Sequence, residues 1–229
     1  MRILVAGAGR GLGLALSRLA AENGHDVYAG TRGGPSEGLM LAASRLPGLR
    51  TIGLDVTDEA SAAEAARIIE GEGPPLDAVV VSAGVLLESD RRLLMTGADI
   101  GDLRKTLEVN AVGSAVMAKH FHRLVKDGGA FVFVGSEAGS LTDSGAGYPA
   151  YSVSKSAQRK IAAVLAKTVP RIRVFSLHPG RMNTDMGREN AQIEPEEAAL
   201  GILRIVGGGT EVPPERGPFI DYMGRAMAP

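Results

Sequence analysis

Met1-Arg2-Ile3-Leu4-Val5-Ala6-Gly7-Ala8-Gly9-Arg10-Gly11-Leu12-Gly13 opens the chain, and its reading decides the fold. A short apolar run breaks straight into glycines, and a helical pattern follows from Leu12 to Glu22. Strand, glycine turn and helix in that order make the arrangement that holds a dinucleotide pyrophosphate. Glycine has no Cβ, so the backbone turns tightly and approaches phosphate oxygens closely. The new helix then offers unpaired N–H groups and its positive dipole end to the negative charge. An ordinary strand-to-helix turn would also use glycines. Their place directly after the first strand favours the nucleotide, and makes Gly7, Gly9, Arg10, Gly11, Leu12 and Gly13 candidate contacts.

Outward from this stretch, short apolar runs alternate with helical patterns. The runs Arg2–Ala6, Asp26–Thr31, Arg50–Leu54, Ala78–Ser82, Ala130–Val134, Arg173–Leu177 and Gly217–Ile220 read as strands. Between them, Leu12–Glu22, Gly38–Arg45, Glu59–Glu70, a long region Asp102–Lys126, Tyr151–Thr168 and Pro195–Val206 read as helices. Such alternation predicts an α/β fold: a doubly wound parallel sheet of about seven strands with helices on both faces. Ala78-Val79-Val80-Val81-Ser82 is apolar on both sides, as a strand buried on both faces requires. The Pro and Gly clusters at Gly71–Pro75 and Gly207–Pro214 read as turns. No repeat or composition shift divides the chain, so one domain over residues 1–229 is expected.

Composition removes several classes of function. The 229 residues are 45% hydrophobic with a net charge of −1, which gives no basic footprint for nucleic acid or an anionic membrane. The absence of cysteine excludes disulfides, thiolate metal sites and cysteine nucleophiles. The four histidines, His25, His120, His122 and His178, show no ligand spacing, and no metal site is read. No apolar run approaches the ~20 residues that span a bilayer, so a soluble cytoplasmic protein is expected.

In a parallel sheet, ligands bind beyond the carboxyl ends of the strands. The residues that follow the strands there are Gly7–Gly13, Thr31-Arg32, Asp55-Val56, Ser82-Ala83-Gly84, Ser136-Glu137 and His178-Pro179-Gly180. Arg32 ends the second strand, where an adenosine ribose would sit. An acid at that point suits a 2′-hydroxyl, whereas an arginine suits a 2′-phosphate. With Arg10 also near, and no acid at 31 or 32, NADP(H) is the expected cofactor and NAD(H) the alternative.

Tyr151 and Lys155 stand four residues apart in Tyr-Ser-Val-Ser-Lys, on one face of a helix. A phenol has a pKa of about 10, and a nearby cation favours the phenolate, so the pair is a candidate proton donor and acceptor. Together the glycine pattern, Asp55, Ala83-Gly84, Asn110, Ser136, Tyr151-x-x-x-Lys155 and Pro179-Gly180 resemble the short-chain dehydrogenases/reductases in order and spacing, over essentially the whole chain. The stretches His178–Gly187, Glu194–Ala198, Gly135–Ser140 and Gly217–Gly224 resemble the C-factor and sniffer-type carbonyl reductase branch.

The resemblance implies a Rossmann-type fold and an NADPH-dependent reduction of an aldehyde, ketone or quinone. It makes Tyr151 the general acid, with Lys155 lowering its pKa and holding ribose hydroxyls. Ser136 would donate to the substrate oxygen, and Asn110 would position the lysine and a relay water. Pro179, Gly180 and Thr184 would line the nicotinamide pocket, and Asp55 and Val56 would meet the adenine. The methionines Met182, Met186, Met223 and Met227 are either core filler or a yielding wall over the substrate.

There are departures from the family pattern. Ala6 stands where a Thr is usual, and Val81-Ser82-Ala83-Gly84 where Asn-Asn-Ala-Gly is usual. Ser136 and Tyr151 are fifteen residues apart, about two more than is common, around a glycine-rich Thr142–Gly147. Members of the family pair through the helices matching Asp102–Lys126 and Tyr151–Thr168, which implies a homodimer or a tetramer built from it. A rival reading is a nucleotide-binding regulator of the same fold with little turnover.

Overall fold

The computed structural model describes residues 1–143, 145–187, 191–210 and 219–229. Seven strands, all parallel, form one sheet in the order β3-β2-β1-β4-β5-β6-β7. They are β1 (Arg2–Ala6), β2 (Asp26–Thr31), β3 (Leu49–Gly53), β4 (Leu76–Val81), β5 (Val125–Val134), β6 (Arg173–His178) and β7 (Phe219–Asp221). The helices are α1 (Gly11–Glu22), α2 (Glu37–Arg45), α3 (Glu59–Gly71), α4 (Ile100–Leu107), α5 (Gly113–Phe121), α6 (Pro149–Thr168) and α7 (Pro195–Val206). The first part of the predicted last strand, Gly217-Pro218, lies outside the described residues.

Alternation along the strands builds two cores. Ile3, Val5, Ala78, Val80, Ala130 and Val132 face α1, α2 and α7. Leu4, Ala6, Val79, Val81, Phe131 and Phe133 face α3, α5 and α6. Both faces of the central strands are therefore dry, which is why their sequences are apolar without a break. Ala6 sits within the second core, where a hydroxyl would need a partner.

Local chemistry fixes most helix starts. Ser36, Asp58 and Asp99 each accept a backbone N–H from the first turn of α2, α3 and α4. The long predicted helix Asp102–Lys126 is corrected: α4 passes through a π-turn at Glu108–Val112 into α5, and a 3₁₀ turn at His122–Leu124 ends it. Val125 already belongs to β5. The first half of that strand, Lys126-Asp127-Gly128-Gly129, is polar and carries no apolar signal, so the strand reads five residues too short from sequence.

The sheet order reverses between β1 and β4, so helices leave to opposite faces on either side of that point. A crevice opens there at the carboxyl ends of the strands, as this topology demands.

Candidate active site

A cleft of about 920 Å³ occupies that crevice. Gly7, Gly9, Arg10, Gly11, Leu12, Arg32, Asp55 and Val56 line it beyond β1, β2 and β3. Ser82, Ala83, Gly84, Ser136, Pro179 and Gly180 line it beyond β4, β5 and β6. Tyr151 and Lys155 of α6 and Thr184 complete the wall. Two residues predicted for the site do not reach it, Gly13 and Asn110.

Gly13 has a packing role instead of a ligand contact. A Cβ there would lie 2.1 Å from the Gly7 carbonyl oxygen, so glycine lets α1 press against the turn that follows β1. Gly7 itself has φ +86, and a Cβ would lie 2.6 Å from the Ala83 nitrogen. The start of α1 has no side-chain cap and no acidic residue in its first turn. Its N–H groups are thus left for an anion beside the glycines that line the cleft, which fits a dinucleotide phosphate. Of the two arginines, Arg10 makes an exposed ion pair with Asp185 at 3.1 Å. Arg32 is exposed at the cleft edge and has no ion-pair partner among the described residues.

The catalytic helix is held from a distance. Tyr148 precedes α6 in the left-handed region (φ 54) and supplies no cap. The buried carboxylate of Asp90 takes that place, accepting from the backbone N–H of Ala150 at 3.0 Å and of Tyr151 at 2.9 Å. A charged acceptor on two N–H groups at a helix start is strong because the dipole adds to the hydrogen bonds. Ser136 accepts from Ala138 N–H at 3.2 Å and so opens the short turn Glu137–Gly139. That turn lies flat on α6: a Cβ at Gly139 would be 2.9 Å from the Lys155 carbonyl carbon. Loop and helix thereby bring the Ser136 hydroxyl and the Tyr151 phenol to the same wall of the cleft, close enough for Ser136 to act on the phenol's pKa.

Burial acts on both members of the pair. It pushes the Tyr151 phenol above its ordinary value of 10.0, and Glu137 adds to the push, while the Ser136 bond and the Arg91 charge pull it back. It pulls Lys155 from 10.5 down to about 7. The lysine Nζ donates to the Val134 carbonyl at 2.7 Å and to Gln158 Oε1 at 3.1 Å, and lies 5.6 Å from the centre of the Tyr151 ring. Here the Lys155 hydrogen bonds go to Val134 and Gln158, while Ser136 and Arg91 act against the upward push on the phenol.

Asn110 is fully buried in the π-turn behind the cleft. Its Oδ1 accepts from Val85 N–H at 2.8 Å, and its Nδ2 donates to the Val85 carbonyl and to Ser154 Oγ, both at 2.9 Å. It clips the segment after β4 to α6 and bonds neither Lys155 nor the phenol. Gly84 lies between them: a Cβ there would come within 3.2 Å of Asn110 Oδ1 and 3.5 Å of Lys155 Nζ.

Across the cleft, His178 Nδ1 accepts from Glu137 N–H at 3.3 Å, and burial lowers its pKa, so the ring is neutral at pH 7. Arg181 pairs with Glu137 at 2.8 Å, and Arg91 donates to the Met186 carbonyl at 2.7 Å, tying the segment after β6 to the opposite wall. Met182 and Met186 line the cleft, whereas Met223 and Met227 do not. Asp55 lines it too, with Oδ1 taken by Thr57 in a local turn. Sequence reading missed Asp90, Arg91 and Gln158. Each acts on a residue far along the chain or inside a helix read only for its apolar face, and none carries a local signal.

A parallel dinucleotide-binding sheet with a Ser, Tyr and Lys at its switch point defines an oxidoreductase class. The short chain dehydrogenase family model matches residues 1–195, and the chain belongs to that family of NAD(P)H-dependent oxidoreductases. It is 30% identical over 213 residues to a 1-hydroxy-2-glutathionyl-2-methyl-3-butene dehydrogenase of Rhodococcus, covering 89% of each chain. It is 32% identical over 207 residues to carbonyl reductase family member 4 of Danio rerio, covering 88% of this chain and 82% of that one. The carbonyl reductase Sniffer of D. melanogaster superposes with a TM-score of 0.86 at 23% identity, over 99% of this chain and 98% of that one, a likeness of fold. Carbonyl reductases thus stand among the relatives, as the sequence resemblance implied.

Proposed function

We propose that this protein is an NADPH-dependent carbonyl reductase acting on an aldehyde, ketone or quinone, built as one unit over residues 1–229. The observation that carries the reading is that Ser136, Tyr151 and Lys155 line one cleft with the glycines of the phosphate turn. When bound, the nicotinamide supplies the hydride. Tyr151 donates its proton to the carbonyl oxygen, the phenol being protonated at neutral pH. Ser136 donates a hydrogen bond to the same oxygen and offsets the charge that develops there. Arg91, whose charge already acts on the phenol, stabilises the phenolate left behind. Lys155 directs an N–H into the cleft for the ribose hydroxyls, and Gly9, Gly11 and the open start of α1 hold the pyrophosphate. Arg32 receives the 2′-phosphate that distinguishes NADPH.

NADPH oxidation measured with a panel of aldehydes, ketones and quinones tests the reading. Saturable turnover with at least one class is the expected result. Nucleotide binding without turnover on any of them would turn the assignment towards a regulator. Val112, Val153 and Val164 leave an apolar surface on α5's approach and on α6, and we assign that surface to a homodimer or a tetramer built from it. A 23.7 kDa particle by light scattering at micromolar concentration would overturn the assembly. Among the described residues no helix is long and apolar enough to cross a membrane; a cytoplasmic location is part of this proposal.

A further inference from the structure

Arg91 belongs to the short turn Ser89–Arg92 that follows β4, and it lines the same cleft as Ser136 and Tyr151. Its side chain is 16% exposed, so its charge is poorly screened by water. Nη2 donates to the Met186 carbonyl at 2.7 Å, 95 residues further along the chain. The guanidinium therefore stands between the segment after β4 and the segment after β6. It is near enough to Tyr151 for its charge to act on the phenol.

A guanidinium has five N–H donors. Among the described residues, Met186 accepts from one of them. Nε is buried without a hydrogen bond, and Glu88, whose side chain is 55% exposed, approaches it only to 3.4 Å. Holding the Met186 carbonyl uses one donor and needs no charge. A cation that has given up most of its water and keeps donors unused is costly until an anion meets it. The other charges along the cleft already have partners or tasks. Arg181 is neutralised by Glu137 at 2.8 Å, and Arg10 by Asp185 at 3.1 Å. The Asp55 carboxylate is held by Thr57. Arg32 and Lys155 serve the nucleotide in the reading above. Arg91 is then the cation beside the phenol with room for a further anion, and the phenol is where the carbonyl oxygen has to sit. Val85, Leu86 and Met182 give the cleft apolar wall.

We propose that Arg91 is a specificity-determining residue that receives a carboxylate carried by the substrate close to its reacting carbonyl, so that the substrate class is an oxo acid with an apolar body. This rests on the reductase reading and narrows its substrate. Arginine takes a carboxylate through two parallel N–H···O bonds, which fixes orientation as well as affinity. It also offsets the negative charge that would otherwise oppose the arriving hydride. The carbonyl carbon accepts the hydride of NADPH and the carbonyl oxygen accepts the Tyr151 proton. The products are a hydroxy acid and NADP⁺, the carboxylate is unchanged, and Tyr151 regains its proton from water.

Benzoylformate and its methyl ester are the probes, because they share the ketone and the ring and differ in charge. Arg91→Leu should lower the acid-to-ester ratio of kcat/KM by roughly ten- to hundred-fold, chiefly through KM for the acid. Any help Arg91 gives to the phenolate acts on both compounds and cancels in the ratio. An equal loss on both would leave Arg91 a strap to Met186 or a partner of the phenolate, and would overturn the proposal. Arg91→Gln keeps a donor for the Met186 carbonyl without the charge, and carries the same test if thermal melts show that Arg91→Leu does not fold. Calorimetry of benzoylformate on the protein–NADP⁺ complex reads the contact without turnover. A dissociation constant raised at least tenfold in the variants supports it even where neither compound is reduced, a result that would sink the reductase reading alone. Binding too weak to measure in wild type, or unchanged in both variants, would overturn the proposal.

Discussion

Replacing Lys155 by Met should change how stability depends on pH, by an amount that follows from the fold. Lys155 is held at about 7 in the folded chain and returns to its ordinary 10.5 when unfolded. Between those values the unfolded chain binds the extra proton, so wild-type stability rises with pH across that window. Taking 1.36 kcal/mol per unit, the buried lysine costs about 4 kcal/mol at pH 7 and about 1 kcal/mol at pH 9.5. Met fills similar space without a charge and is free of this dependence. The stability advantage of Lys155→Met over wild type should therefore shrink by about 2–3 kcal/mol between pH 7 and 9.5. Tyr151, pushed above 10.0, and His178, pulled below 6.5, titrate outside that interval. Urea unfolding of both proteins at matched salt, with m-values compared, reads the difference directly. Parallel pH dependences would show that Lys155 keeps an ordinary proton affinity in the folded state, and would remove the argument built on its burial.

Tyr151→Phe should lower kcat by ~10²–10⁴ while the NADPH dissociation constant stays near wild type, and an unimpaired kcat would sink the acid assignment. Arg32→Asp should weaken NADPH by roughly ten- to hundred-fold and NADH far less, as measured by fluorescence titration; equal losses would show that Arg32 does not meet the 2′-phosphate. Asp90→Ala strips a buried and a part-buried N–H group of their acceptor and should cost about 2–3 kcal/mol in unfolding free energy, with kcat falling as the start of α6 loosens. Gly13→Ala should lower the melting temperature even without nucleotide, because its Cβ meets the Gly7 carbonyl at 2.1 Å; an unchanged melt with weakened nucleotide would return Gly13 to the binding site.

The sheet was legible because its signals are local. β1 and β2 appear at their predicted bounds, and Pro195–Val206 is α7 to the residue. Apolar runs buried on both faces and glycines at a forced turn need no knowledge of the rest of the chain. The break at Glu108–Val112 was not legible, since Glu-Val-Asn-Ala-Val is acceptable to a continuous helix. What opens that turn is Asn110, whose side chain is drawn to the peptide of Val85, 25 residues away. β5 was cut short for the opposite reason: Lys126–Gly129 lies in the register shift between the Leu76–Val125 and Ala78–Ala130 pairs and buries no apolar side chain.

The cleft residues divide in the same way. Those that follow strands were found, because topology alone sends the carboxyl ends to one edge. The Tyr151–Lys155 spacing names a shared helix face, but it cannot give the proton affinity of either group. Here the two shift in opposite directions, phenol up and ammonium down, and both shifts favour the neutral form. A lysine paired with a phenolate would have lowered Tyr151 and kept its own charge. This lysine instead faces neutral carbonyls, because position 158 is Gln and Val134 offers only its backbone. The cation that favours the ionised form of the phenol is Arg91, from the segment after β4. Part of the site's electrostatics thus comes from Asp90 and Arg91, about 60 positions before the residues of α6 they act on and joined to that helix only in the fold.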